Sequence, residues 1–123
     1  MDGNETPEQS ADGYWLMRGG TVLAAAEVAT KLGERSKGLL GRSHFDGALV
    51  LRHTRGVHSM GMRFPIDVAF LDRDLVVVDL THLPPWRMTI PRMRARSVLE
   101  ASAGAFERWD LRVGDKLELR CGR

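Results

Sequence analysis

Apolar and polar residues alternate in short bursts along this chain. After thirteen polar residues, "YWLMR" and "TVLAAAEVA" form two strand-like segments joined by Gly19-Gly20, a pair that tolerates the positive φ of a tight hairpin. "TKLGERSKGLLGR" changes period: Thr30 is placed to cap a helix, Leu32, Leu39 and Leu40 fall on one helical face, and Gly41 stops it. "GALVL" is a short apolar strand. "IDVAFLDRDLVVVDLTHL" reads as two strands around Asp72-Arg73-Asp74, a pair expected at the centre of the sheet. Ile66, Val68 and Phe70 are predicted on one face of the first strand, and Val76, Val78 and Leu80 on one face of the second. Asp67 and Asp79 then point the other way.

Pro84-Pro85 ends that ladder, because neither residue has an N–H to donate. The basic loop "WRMTIPRMRAR" follows and leads into the strand "SVLEA". Ser102 is placed to cap a short helix carrying Phe106 and Trp109, and Gly114-Asp115 turns the chain into "KLELR". There Leu117 and Leu119 face inward, and the same alternation puts Cys121 inside as an unreactive thiol. The count predicts a mainly β fold, a small antiparallel sandwich or barrel of about seven strands with two short helices.

Length and composition refine this picture. At 123 residues and 43% hydrophobic, the chain suits one domain with its own core. Residues 1–13 carry Asp2, Glu5, Glu8 and Asp12, no Lys or Arg and almost no apolar side chain, so a disordered acidic tail is expected ahead of a single domain over 14–123. The body keeps all 18 basic residues against 12 of the 16 acidic ones, a formal charge of +6, and 15 of the cations are Arg. Arginine favours bidentate contacts with carboxylate or phosphate, although a biased genome gives the same preference. No basic-then-apolar leader and no spanning run occur, so a cytoplasmic, soluble monomer without a membrane partner is expected. The lone Cys121 excludes an internal disulfide.

The order of segments resembles a widespread prokaryotic family of uncharacterised proteins, domain-of-unknown-function family one-nine-two. The residues carrying the resemblance are Glu34, Arg35, Gly38, Leu39 and Arg42; Gly61, Met62, Arg63, Pro65, Ile66 and Asp67; Val98, Leu99, Glu100, Gly104, Gly114 and Asp115. It spans roughly residues 21–119. The resemblance implies a mainly β, sandwich-like fold and no established activity. Many relatives look exported, which this chain's polar start does not match. Its "HSMGMR" also stands where the commonest family pattern has an aromatic-Met-x-Asn-Thr run, so no role of that Asn-Thr pair transfers to Gly61 and Met62.

Four chemistries compete for the polar residues. A copper(I) site would use His53, His58, Met60 and Met62, with His82, but no helical His spacing, thiolate cluster or carboxylate pair supports it, and no metal or cofactor is expected. A catalytic site would combine His58 or His82 with Asp67, Asp79 or Glu100 and an Arg42 or Arg63 anion clamp, yet no nucleophile elbow or phosphate loop is present. Nucleic-acid binding would rest on Trp86 with Arg87, Arg92, Arg94 and Arg96, and is disfavoured for want of a known motif and because the acidic tail offsets the field. The favoured reading is a small binding or accessory module that presents Arg42, His58, Arg63, Asp67, Trp86 and Glu100 to an anionic ligand or partner protein. The alternative enzyme reading places Arg63, Asp67 and Glu100 in one cleft.

Overall fold

The computed structural model describes residues 13–29 and 47–122. The tail, the helix expected over "TKLGERSKGLLGR" and Arg42 lie outside them, although Gly13 already belongs to the first strand. β1 (Gly13–Arg18) and β2 (Thr21–Ala29) form the expected hairpin, and Gly19 and Gly20 take φ of 57° and 84° in its turn. β3 (Ala48–Arg52) lies parallel to β2. β4 (Ile66–Leu71) and β5 (Val77–Leu83) are antiparallel around the predicted turn, where Asp72 Oδ1 accepts the N–H groups of Asp74 and Val76 at 2.8 and 3.0 Å. β6 (Ser97–Ser102), the short helix α1 (Ala105–Arg108) and β7 (Glu118–Cys121) complete the order.

The strands form one seven-stranded sheet in the order β5-β4-β6-β3-β2-β1-β7. The mainly β, seven-strand expectation holds; three particulars differ. The sheet is mixed rather than purely antiparallel, because residues 30–47 are long enough to carry the chain back and start β3 in the direction of β2. β5 is a rim strand, and the centre belongs to β6 and β3, since β6 inserts antiparallel to both β3 and β4. The sheet is not closed. Its rims only touch, through a Val76–Lys116 bridge flanked by the Val77 N–H to Asp115 O bond at 2.9 Å and the Leu117 N–H to Leu75 O bond at 2.9 Å.

Both faces are packed, which is why β4 is buried at every position. On the first face Leu49, Leu51, Ile66, Val68, Phe70 and Val98 meet Val57, Met62, Phe64 and Ala95 from the loops 53–65 and 84–96. On the second, Val50, Ala69, Leu71, Leu99 and Ala101 meet Ala105, Phe106, Leu111 and Leu117. Burying these chains stabilises the fold by roughly 1.5–3 kcal/mol for each large residue before the entropy of ordering is subtracted.

A register shift between Phe70 and Leu71 sets Phe70 opposite Asp79 and Leu71 opposite Val77, so Val78 is the extra residue. The shared face expected of Val76, Val78 and Leu80 is therefore broken: Val78 packs on the first cluster and Leu80 on the second. Cys121 is exposed, not inside as alternation suggested, because it ends a short rim strand past the packed layer. Nor does Ser102 cap α1. Gly104 is the N-cap residue, with φ of 95° and no cap bond from a side chain of its own.

Candidate functional site

β3 ends beside the start of β6, whereas β4 begins beside the end of β6. The loop 53–65 must therefore cross the first face lengthwise, and the loop 84–96, leaving β5 and entering β6, crosses it in the opposite sense. The two pair along the way. Thr89 N–H donates to Val57 O at 2.9 Å and Ser59 N–H to Arg87 O at 2.7 Å, which makes His58 and Met88 a directly opposed, non-hydrogen-bonded pair. Ser59 is the pin of this irregular ribbon. Completely buried, it donates its hydroxyl to Pro84 O at 2.5 Å, accepts the Arg87 N–H on Oγ at 2.9 Å, and accepts the N–H groups of Trp86 and Met62 on its carbonyl at 3.0 and 3.1 Å.

The far end is fastened by Arg92. Its Nε donates to Asp79 Oδ2 at 2.7 Å, its guanidinium stacks 4.4 Å from the Phe70 ring centroid, and its N–H reaches Arg55 O at 2.9 Å. That guanidinium, first through its hydrogen bond and also through its charge, holds the Asp79 carboxyl below the usual range, although desolvation opposes it.

Alternation then sorts the ribbon into two sides. Val57 and Ser59 face the core, while Met60, Trp86, Met88 and Ile90 face solvent at 40%, 60%, 67% and 78% exposure, with Met93 nearby at 76%. The two loops contain six arginines, Arg55, Arg63, Arg87, Arg92, Arg94 and Arg96, and no Asp, Glu or Lys. Among the described residues only Arg92 of these six forms an ion pair. Elsewhere Arg18, Arg112 and Arg120 are paired with Asp115, Asp110 and Glu118. Four of the eight exposed large hydrophobic residues, Trp86, Met88, Ile90 and Met93, thus cluster in one basic loop of the described fold.

The residues singled out from sequence are divided by the sheet. His58, Arg63 and Trp86 lie on the two loops. Glu100 lies beneath them, fully buried on the first face opposite Val68 and Leu49. Asp67 is on the second face, where Oδ2 accepts the N–H groups of Gly104 and Phe106 at 2.9 and 3.1 Å and Oδ1 lies 3.4 Å from His82 Nδ1. It serves as the cap that α1 lacks locally. Asp67 and Glu100 thus do not meet in one cleft with Arg63.

The copper set is dispersed as well, with Met62 buried in the first core and His82 beside Asp67 on the other face. His58 Nδ1 accepts the Met60 N–H at 3.2 Å, so that ring nitrogen is engaged within its own loop. Sequence reading missed Met60, Met88, Ile90 and Met93 as surface features. The available signal was the period-two spacing of Trp86, Met88 and Ile90 inside a segment with no sheet to bury them.

The family model DUF192, described as Uncharacterized ACR, matches residues 15–119. The chain belongs to this family. Among its relatives, the UPF0127 protein of Pyrococcus furiosus is 43% identical over 70 residues, covering 57% of this chain and 60% of that protein. The UPF0127 protein of Thermococcus sibiricus is 28% identical over 107 residues, covering 82% and 70%. The chain spans about three fifths of the length of the Pyrococcus relatives it matches.

The fold is shared with a solved protein of unknown function from Novosphingobium aromaticivorans, with TM-score 0.68, 20% identity and coverage of 86% of this chain and 83% of that one. It is also shared with a Sinorhizobium meliloti protein named as a candidate transcription regulator, with TM-score 0.72, 23% identity and coverage of 87% and 92%. Within this DUF192 chain, the resemblance residues Asp67 and Gly104 touch directly, and Gly61, Gly104 and Gly114 all have positive φ. Those signature positions shape turns and the cap. Glu34, Arg35, Gly38, Leu39 and Arg42 lie outside the described residues.

Proposed function

We propose that this DUF192 chain is a small docking module and that the paired loops 53–65 and 84–96 are its working surface, taking a negatively charged partner that also accepts apolar side chains. The observation that carries this is the exposure of Trp86, Met88, Ile90 and Met93 on loops whose Arg55, Arg63, Arg87, Arg94 and Arg96 form no ion pair among the described residues. Trp, Met and Arg are the residue types enriched in recognition surfaces, and the acidic residues and Lys absent here are those depleted from them.

Arg63, His58 and Trp86 keep their proposed role as contacts. Asp67 and Glu100 support the fold that carries the ribbon. Nucleic acid is less suited, because Met88, Ile90 and Met93 find no counterpart in phosphates and base edges. An enzyme reading gains nothing from a sheet that separates Asp67 from Glu100. The cytoplasmic, monomeric state expected from the sequence belongs to this proposal.

The test is a photoreactive amino acid placed at position 88 in the full chain in cells, with position 113, also exposed, as the control. Adducts are expected at 88, and they should disappear when Arg87 and Arg94 are replaced by Glu. Labelling at 88 no greater than at 113 refutes the docking reading.

A further inference from the structure

We infer that the partner surface is an anionic phospholipid bilayer, with Trp86, Met88 and Ile90 entering the headgroup region and Arg87, Arg94 and Arg96 gripping lipid phosphates. This rests on the docking reading and names its partner class. Charge is the first ground. Two loops with no acidic residue and with six arginines, of which only Arg92 forms an ion pair among the described residues, present one sign of charge, which suits a continuous negative plane. A folded partner protein more often mixes its signs.

Shape is the second. The apolar side chains stand at the crest of the ribbon, with Ile90 at 78% exposure, so they need a surface that yields around them. A bilayer interface does that, and Trp is the residue most at home there. Construction is the third. The buried Ser59 hydroxyl on Pro84 O and the Arg92–Asp79 pair hold the crest to the core, so little order is lost on contact. The planar guanidinium matches phosphate bidentately. The expectation of no membrane partner came from the lack of a spanning run, and no helix among the described residues is long and apolar enough to cross a bilayer. A ribbon lying on the surface needs none.

The experiment floats the full chain with vesicles of phosphatidylcholine alone or mixed with phosphatidylglycerol. The variants are Trp86→Ser with Met88→Ser, and Arg87→Glu with Arg94→Glu, all at exposed positions, with circular dichroism confirming the fold. Partitioning into the anionic vesicles is expected to exceed that into neutral ones about tenfold, to fall with added salt, and to drop about tenfold or more in each double variant. Equal partitioning into neutral and anionic vesicles overturns the inference. So does an absence of flotation while the position-88 adduct persists, which leaves docking intact and points to an acidic protein; binding of a synthetic Glu-Leu peptide without vesicle binding says the same. Loss of both adduct and flotation removes the docking reading too.

Discussion

Replacing Asp67 by Ala tests whether the long-range cap of α1 is what its geometry indicates. The carboxylate comes from β4, and Oδ2 takes two backbone donors, Gly104 and Phe106, more than thirty positions along the chain. Hydrogen bonds to a charged group contribute about 1.5–3 kcal/mol each, but two on one oxygen are not additive, and a side chain 12% exposed lets water replace part of them. We therefore expect Asp67→Ala to cost about 2–4 kcal/mol, a large share of the roughly 5–15 kcal/mol a domain holds. Asp67→Asn keeps an acceptor and loses the charge, for about 1 kcal/mol.

His82→Ala serves as the internal contrast. Its ring is 56% exposed and 3.4 Å from Oδ1, so it should change stability by less than about 0.5 kcal/mol. Urea unfolding followed by far-UV circular dichroism reads all three, and with a slope near 1.5 kcal/mol/M the Ala midpoint should fall by roughly 1.3–2.7 M. An Ala variant within about 0.5 kcal/mol of the parent, or a His82 variant as costly as the Asp67 one, refutes the cap.

Two further outcomes follow from the ribbon's fastenings. Ser59→Ala strands the Arg87 N–H and the Pro84 carbonyl and should cost about 1–3 kcal/mol, with hydrogen exchange speeding up at Trp86 and Arg87 while amides of β4 and β6 stay protected. Uniform acceleration across the sheet would show that the ribbon does not open on its own. Asp79, held below the usual carboxylate range by Arg92, adds stability that is present above the unfolded value of about 3.9 and lost as pH falls through the lower folded one. Hence the parent should exceed Asp79→Asn in urea midpoint at neutral pH and lose that margin below about pH 4; a pH-independent margin contradicts the linkage.

How far the fold was legible depended on whether local pattern or distant pairing decided each feature. The hairpin at Gly19-Gly20, the Asp72 turn and the strands "GALVL" and "SVLEA" stand where alternation and turn chemistry place them, because each is decided by neighbours in the chain. What the pattern could not convey was partner choice. Nothing local says that β6 enters between β3 and β4, that β2 and β3 run parallel, or that one bulge sends Val78 and Leu80 to different cores.

The candidate site divided in the same way. Arg63 and Trp86 were visible as an arginine and an aromatic in unstructured sequence. Asp67 was visible only as a polar residue in a strand, and its job depended on Gly104, brought near by tertiary structure. Ser59 gave no signal at all, since a serine in a loop looks alike whether it is solvated or pinning a second loop. Cys121 misled for a related reason: alternation predicts a side, and burial also requires something to lie on that side.

The placement of β6 bears on how the chain is made. Among the described strands, β6 (residues 97–102) alone pairs with both the half of the sheet built from β1, β2 and β3 and the half built from β4 and β5; the rim contact at Val76 and Lys116 forms later still. While the chain emerges from the ribosome, those halves have no shared ladder until residues 97–102 have been synthesised, and β3 and β4 present raw edges in the meantime. Assembly therefore waits on a late keystone, and a product stopped before residue 97 should be a substrate for chaperones and proteases rather than a smaller version of the same fold.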